Sequence, residues 1–486
     1  MTASPAIPAI PRSAVVTALS LIVGGMAVIF DSTIVSIALK TLATDLDVPV
    51  GTIQWVSTAY LLALGVTIPV VGWAQARVGG KRLWMIALVI FLVASIACSL
   101  AWNAASLIAF RVVQGIGGGI LMPLMATLAI QQVPRGAAFG RLMAMVSLPA
   151  ALGPILGPTI GGIILHWLDW RWMFWVNVPF CLLGLLLAWR FVPRDAPTGR
   201  SRLDLVGLLL ASPGIVGILY GMSQVGAEGG FSRLDVWLPA VGGVVLLALF
   251  AWWAGRRPGT ALIDVRLLRR RPVASSAVVM FLSGAALYGA MLLLPLFFQI
   301  LHGVDVLTAG LLMIPQGVGA LLSRTIAGRL TDTIGARIVA IGGFAVMGLA
   351  TVPFALADAS TSLWWLMAVL LVRGLGTGAV MIPVMAVAFV GLDRDDVPHA
   401  SLITRLAQQL GGAFGTALLA VILQSAIGSH TSLTDLSQGF DTAFWWAVGF
   451  TVVAIGVCVV LPSRPRPPLA EPRAESAEVS PRPVRR

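Results

Sequence analysis

Runs of about twenty apolar residues recur along the whole chain, and acidic residues almost never interrupt them. As an α-helix, a run of that length crosses the ~30 Å hydrocarbon core of a bilayer. Only 11% of the 486 residues are charged, whereas soluble proteins carry roughly 25%, so polar surface is too scarce to cover a soluble core. The sequence therefore reads as an all-α polytopic membrane protein. Bounding the runs by charges, Pro/Gly turns and aromatic ends predicts 14 transmembrane helices. Spans 1 to 6 fall at 15–39, 53–75, 83–101, 104–129, 139–165 and 171–190, and spans 7 and 8 at 205–223 and 235–254. Spans 9 to 14 fall at 273–300, 307–330, 337–357, 362–390, 403–427 and 441–461.

The net charge of +12 raises the question of nucleic acid, and the position of the charges answers it. With the N-terminus inside, inner segments hold 26 of the 32 basic residues and outer loops hold only Lys40, Arg171 and Arg233. The excess is a topology signal placing both termini in the cytoplasm, and no nucleic-acid partner is expected. Cys98, Cys181 and Cys458 lie in apolar runs without CxxC spacing, and the four histidines are scattered. No metal, cofactor or nucleophile–base set is expected, so the chain does not read as an enzyme.

An internal repeat sets the architecture. Gly72 and Gly79 match Gly328 and Gly335 at an offset of 256, the GIGGG glycines from Gly115 match GLGTG from Gly374 at 259, and Gly153 and Gly157 match Gly411 and Gly415 at 258. The expected organisation is a cytoplasmic N-tail over 1–14, a six-helix bundle over 15–190, a linker with inserted spans 7 and 8 over 191–272, a pseudo-symmetric six-helix bundle over 273–461, and a Pro- and Arg-rich cytoplasmic tail over 462–486 that reads as disordered. Repeats of this kind place a transport site between the halves.

Of the acidic residues, only Asp31 lies well inside a span. A carboxylate at the bilayer centre costs about 3 kcal/mol on translocon scales and is retained when paired or functional. Arg111 lies at a similar depth in span 4, about 10–12 Å below the outer surface, and is the expected partner. Exchange of a proton at Asp31 is the functional reading, and a purely packing salt bridge is the competing one. Adding 257 to Asp31 reaches Tyr288, so the second half holds no equivalent carboxylate.

The ordered motifs FDSTIVSIALKTLATDL, WVSTAYLLALGVTIPVVGW, RVVQGIGGGILMP, LGPILGPTIGG, WRWMFWVNVPF, LDLVGLLL, PLFFQ and AGRLTDTIG make nearly the whole chain resemble the major facilitator superfamily, in its fourteen-span drug:proton antiporter type. The resemblance implies proton coupling at Asp31, Arg111 and Gln114. It implies gating at Gly72, Arg77, Gly79 and Lys81, at Gly153, Pro154, Gly157 and Pro158 in span 5, and at Gly328, Arg329, Asp332 and Gly335. The family's acid in the first gating loop is replaced by Ala76. Met26, Phe30, Trp55, Tyr60, Phe180, Tyr288, Phe298, Gln299, Met313 and Gln316 are candidates to line a substrate site, with packing or lipid contact as the competing reading. The implied protein sits in a bacterial inner membrane, exports hydrophobic or cationic drug-like compounds against protons and suffices as a monomer. Its partners are a small hydrophobic molecule, protons and the lipid bilayer. Uptake or facilitated passage of a small metabolite, or a transporter-fold receptor, remain alternatives.

Overall fold

A computed structural model describes residues 11–35, 38–48, 50–53, 55–132, 145–146, 153, 157, 160–165, 167–195, 203–224, 233–257, 261–392, 396–427 and 433–462. Every regular element among them is helical, and thirteen helices are long and apolar enough to cross a membrane. They are Arg12–Ile34, Trp55–Val78, Gly80–Ser99, Ala104–Ala129, Trp172–Phe191, Leu205–Met222, Leu234–Arg256, Arg271–Ile300, Leu307–Thr331, Ala336–Leu356, Leu363–Ala388, Asp396–Leu423 and Leu436–Cys458. Each matches one expected span, numbered as above. The fourteenth, span 5 over 139–165, lies largely outside the described residues, as do Pro154, Pro158 and both tails.

Three boundaries differ from expectation by five residues or more, and one of them is the start of span 14, where the helix begins at Leu433 instead of 441. Span 1 ends at Ile34 instead of running to 39, and a separate short helix follows at Leu39–Asp45. Span 13 starts at Asp396, seven residues before the expected start, because an acid in the first turn suits the positive end of the helix dipole. Arg405, two residues inside the expected start, therefore lies nine residues into span 13.

The repeat is visible as matched contacts. Span 4 packs between spans 2 and 3, and span 12 packs between spans 10 and 11. A Cβ on Gly115 would strike the Tyr60 carbonyl, and one on Gly374 would strike the Gln316 carbonyl. Tyr60 and Gln316 are themselves 256 positions apart. On the other face Gly117 meets Ala87 and Phe91, while Gly376 meets Gly343 and Met347, again residues 256 apart. The alternating glycines thus let one helix press backbone-to-backbone against two neighbours in each half. Gly374→Val is expected to lower the melting temperature in detergent, because overpacking costs about 1–3 kcal/mol and a backbone carbonyl cannot rotate away. Gly242→Ala is the control, since nothing lies within 4 Å of a Cβ at Gly242. Equal melting of the two variants would contradict the close-approach role.

Candidate functional site

Four apolar helices each turn a polar residue to a common point: Asp31 on span 1, Ser95 on span 3, Arg111 and Gln114 on span 4, and Asn177 on span 6. Arg111 and Gln114 are one turn apart and so share a helix face. All five are essentially inaccessible, at 0–1% exposure. Gly153 and Gly157 face Ile29 and Thr33, on either side of Asp31, and a Cβ on either glycine would overlap those side chains. Span 5 therefore closes over span 1 at this level.

The carboxylate of Asp31 accepts three hydrogen bonds, from Arg111 Nη1 at 2.5 Å, Gln114 Nε2 at 2.9 Å and Asn177 Nδ2 at 3.0 Å. Arg111 also donates to Gln114 Oε1 at 2.7 Å and, through Nε, to the Val56 carbonyl at 3.0 Å. Its guanidinium lies 4.0 Å from the centre of the Tyr60 ring, a cation–π contact in a buried site. Gln114 Nε2 additionally donates to Ser95 Oγ at 2.7 Å. Asn177 Oδ1 is buried and has no hydrogen-bond partner. A proton on Asp31 would turn an acceptor into a donor, and rotation of the Asn177 amide would bring that spare oxygen to meet it.

The second half repeats the scaffold with different chemistry. Arg373 takes the place of Gln114, 259 positions on, and Thr351 takes that of Ser95, 256 positions on. Arg373 donates to Thr351 Oγ1 at 3.1 Å and to Gln316 Oε1 at 3.1 Å, and Gln316 is the counterpart of Tyr60. Tyr288, the counterpart of Asp31, is 37% exposed, with its ring beside Gly412. Among the described residues no carboxylate pairs with Arg373.

A cleft with about 740 Å³ of empty space, its open mouth included, lies between the halves. Ile29, Met122 and Met125 line it from the first half, and Met280, Met381, Met385, Arg405 and Gln408 from the second. Ile29 is two residues from Asp31, and Met122 follows Gln114 by eight, about 12 Å along the helix axis. The cleft and the carboxylate thus share spans 1 and 4 without touching.

None of the ten sequence-chosen lining candidates is among the cleft-lining residues. Phe30 packs edge-on against Phe180 at 5.3 Å, and Met26 joins the same cluster. Trp55 meets Tyr220 of span 7 at 5.5 Å. Phe298 and Met313 lie in an aromatic core with Phe297 and Phe354, and Gln299 is half-buried near it. Tyr60 and Gln316 join the two polar networks. The missed cleft residues carried a signal: LMPLM over 121–125 and MIPVM over 381–385 repeat methionines and a proline directly after the matched glycines.

The loops that follow spans 2 and 10 are built alike in both halves. Gly79 and Gly335 end their helices at φ +87° and +97°, values that favour glycine. Lys81 Nζ donates to the Trp189 and Val192 carbonyls at the end of span 6, and Arg337, 256 positions later, donates to the Leu461 carbonyl at the end of span 14. Where Ala76 lacks the family acid, Asp195 supplies a carboxylate that accepts from the amides of Gly80 at 2.5 Å and Lys81 at 3.0 Å. It caps the N-terminus of span 3, where free N–H groups and the helix dipole favour an anion. Sequence distance hid Asp195, which lies 114 residues from Lys81. Gly72 is half-buried, Arg77 lies 5.7 Å from the Trp73 ring, Gly328 is buried, and Arg329 is exposed. Asp332 lies in helical backbone, and its side chain is outside the described set.

Comparison with known proteins agrees with this architecture. The Major Facilitator Superfamily model matches residues 21–416 and 317–486. The chain is similar to the multidrug resistance protein B homolog of Mycobacterium tuberculosis, at 39% identity over 396 residues covering 81% of this chain and 73% of that protein. It is also similar to the lincomycin resistance protein LmrB of Bacillus subtilis, at 29% identity covering 87% and 88% of the two chains. In fold it resembles the human organic anion transporter MFSD10, with a TM-score of 0.62 at 15% identity, covering 92% of this chain and all of that one. Matched glycine contacts in the two halves, a buried polar cluster in the first and a cleft between them accompany a family match over most of the length: the chain belongs to the Major Facilitator Superfamily.

Proposed function

We propose that the protein is a proton-coupled exporter of hydrophobic drug-like compounds, with Asp31 exchanging the proton and the interhalf cleft holding the substrate. The observation that carries this reading is the closed Asp31–Arg111–Gln114–Asn177 network beside a methionine-lined cleft on the same helices. Alternating access provides the coupling. A shift of spans 1 and 4 on substrate entry changes the pairing and desolvation of Asp31, and those two terms set whether it holds a proton. The resistance functions named for the bacterial relatives support export. Each proton entering gains about 2.3 kcal/mol per 100 mV of membrane potential and about 1.4 kcal/mol per pH unit, enough to drive a steep substrate gradient. The excess of basic residues in alternate loops supports an inner-membrane protein with both termini cytoplasmic.

The test is purified protein in proteoliposomes containing a pH-sensitive dye, challenged with a panel of hydrophobic drug-like compounds and, separately, with lincomycin. Substrate-dependent proton movement, reversed when the imposed pH gradient is reversed, is the expected result. Counterflow of a small metabolite with no pH response would overturn this reading in favour of facilitated passage.

A further inference from the structure

The cleft's lining separates by chemistry. One wall is methionine and isoleucine, while span 13 contributes Ser401, Thr404, Arg405 and Gln408 at positions i, i+3, i+4 and i+7, a single helix face. Thr404 is satisfied locally, through the Ala400 and Ser401 carbonyls and the Met385 sulfur. The other two polar groups of interest are not. Gln408 is 7% exposed and its amide makes no hydrogen bond among the described residues. The guanidinium of Arg405 has no hydrogen bond, ion pair or ring contact among them either. Ion pairs among the described residues engage Arg111, Arg171, Arg233 and Arg270, and none engages Arg405. No carboxylate lines the cleft among the described residues. Asp31, the nearby buried acid, is fully enclosed and already neutralised by Arg111.

An unmet amide and an uncompensated cation one turn apart make a strong acceptor-binding site facing an apolar wall. We infer that the cleft selects amphipathic molecules carrying an oxyanion, such as a carboxylate, which Arg405 and Gln408 bind while the methionines hold the apolar body. A lipophilic cation would meet Arg405 with like charge and find no acid to pair with. The inference rests on the cleft being the substrate site, and it gives that substrate a sign of charge.

The experiment measures binding, not transport. Protein in phosphatidylcholine nanodiscs is titrated with pyrenebutyrate, pyrenebutanamide and pyrenebutylammonium, which share one apolar body, and empty nanodiscs are subtracted. The carboxylate is expected to bind about tenfold more tightly than the amide, as for one charge-assisted hydrogen bond, with the ammonium weakest. Arg405→Gln is expected to erase the preference. Arg405→Lys keeps the charge without the forked geometry and is expected to retain part of it. Equal affinity of the ammonium and carboxylate probes, or an unchanged ranking in folded Arg405→Gln, would overturn the inference. If the ranking holds while pH-driven flux is absent, the substrate charge stands and the export reading falls. If pH-driven flux is present without any charge preference, export stands and the substrate charge falls.

Discussion

Replacing Asp31 by asparagine is expected to bring pH-driven flux down to the level of protein-free vesicles. The amide keeps the shape of the carboxylate but cannot take up or release a proton in the working pH range. The substitution also leaves Arg111 charged and uncompensated in a site with 1% exposure, and breaking a buried pair from one side costs about 3–5 kcal/mol. A loss of flux in Asp31→Asn alone would therefore be ambiguous between coupling and folding. The double variant Asp31→Asn/Arg111→Gln separates the two. It removes both charges, leaves hydrogen-bonding groups in place, and is expected to recover most of the melting temperature lost by the single variant. If Asp31 exchanges the proton, the double variant stays uncoupled while still exchanging substrate for substrate without a gradient. If the pair only ties span 1 to span 4, restored stability brings pH-driven flux back with it. Return of that flux would refute the coupling role.

The carboxylate was legible in the sequence for a physical reason. A membrane interior tolerates few ionisable groups, so one acid in a long apolar run stands out, and equal depth pointed to its arginine. The repeat was legible because glycines needed for backbone contact cannot be replaced cheaply, which leaves a readable pattern at fixed offsets. Asn177 and Ser95 were hidden because a single amide or hydroxyl in an apolar helix is common and its orientation is set by tertiary packing. The lining candidates were misplaced for a related reason. Aromatic residues near the halves' interface pack equally well into the bundle core, as Phe298 does against Phe297 at 5.6 Å. Span boundaries drawn at charges put Arg405 at the very edge of span 13, since a basic residue reads as a terminus until the helix is seen to begin at Asp396.

The methionines of the cleft should decide how many compounds the protein accepts. Met122 and Met381 are 259 positions apart and Met125 and Met385 are 260 apart, so the two halves present matching flexible side chains across one space. Methionine is unbranched and polarizable, and it refills irregular gaps around different shapes at little cost. Leucine has a similar volume, so changing all four to leucine should leave the fold and the melting temperature nearly unchanged. The walls become stiffer, however, and a ligand misfitting by one methylene then loses roughly 10- to 200-fold. The expected result is a narrowed panel: the best-fitting compound keeps its initial rate within a few-fold, and poorly fitting compounds fall below detection. Met122→Trp with Met381→Trp acts differently, because two indoles fill the cleft outright and should abolish flux of every compound with the Asp31 network untouched. Steady rates across the full panel in the four-leucine variant, or transport through the doubly filled cleft, would show that substrates take another route.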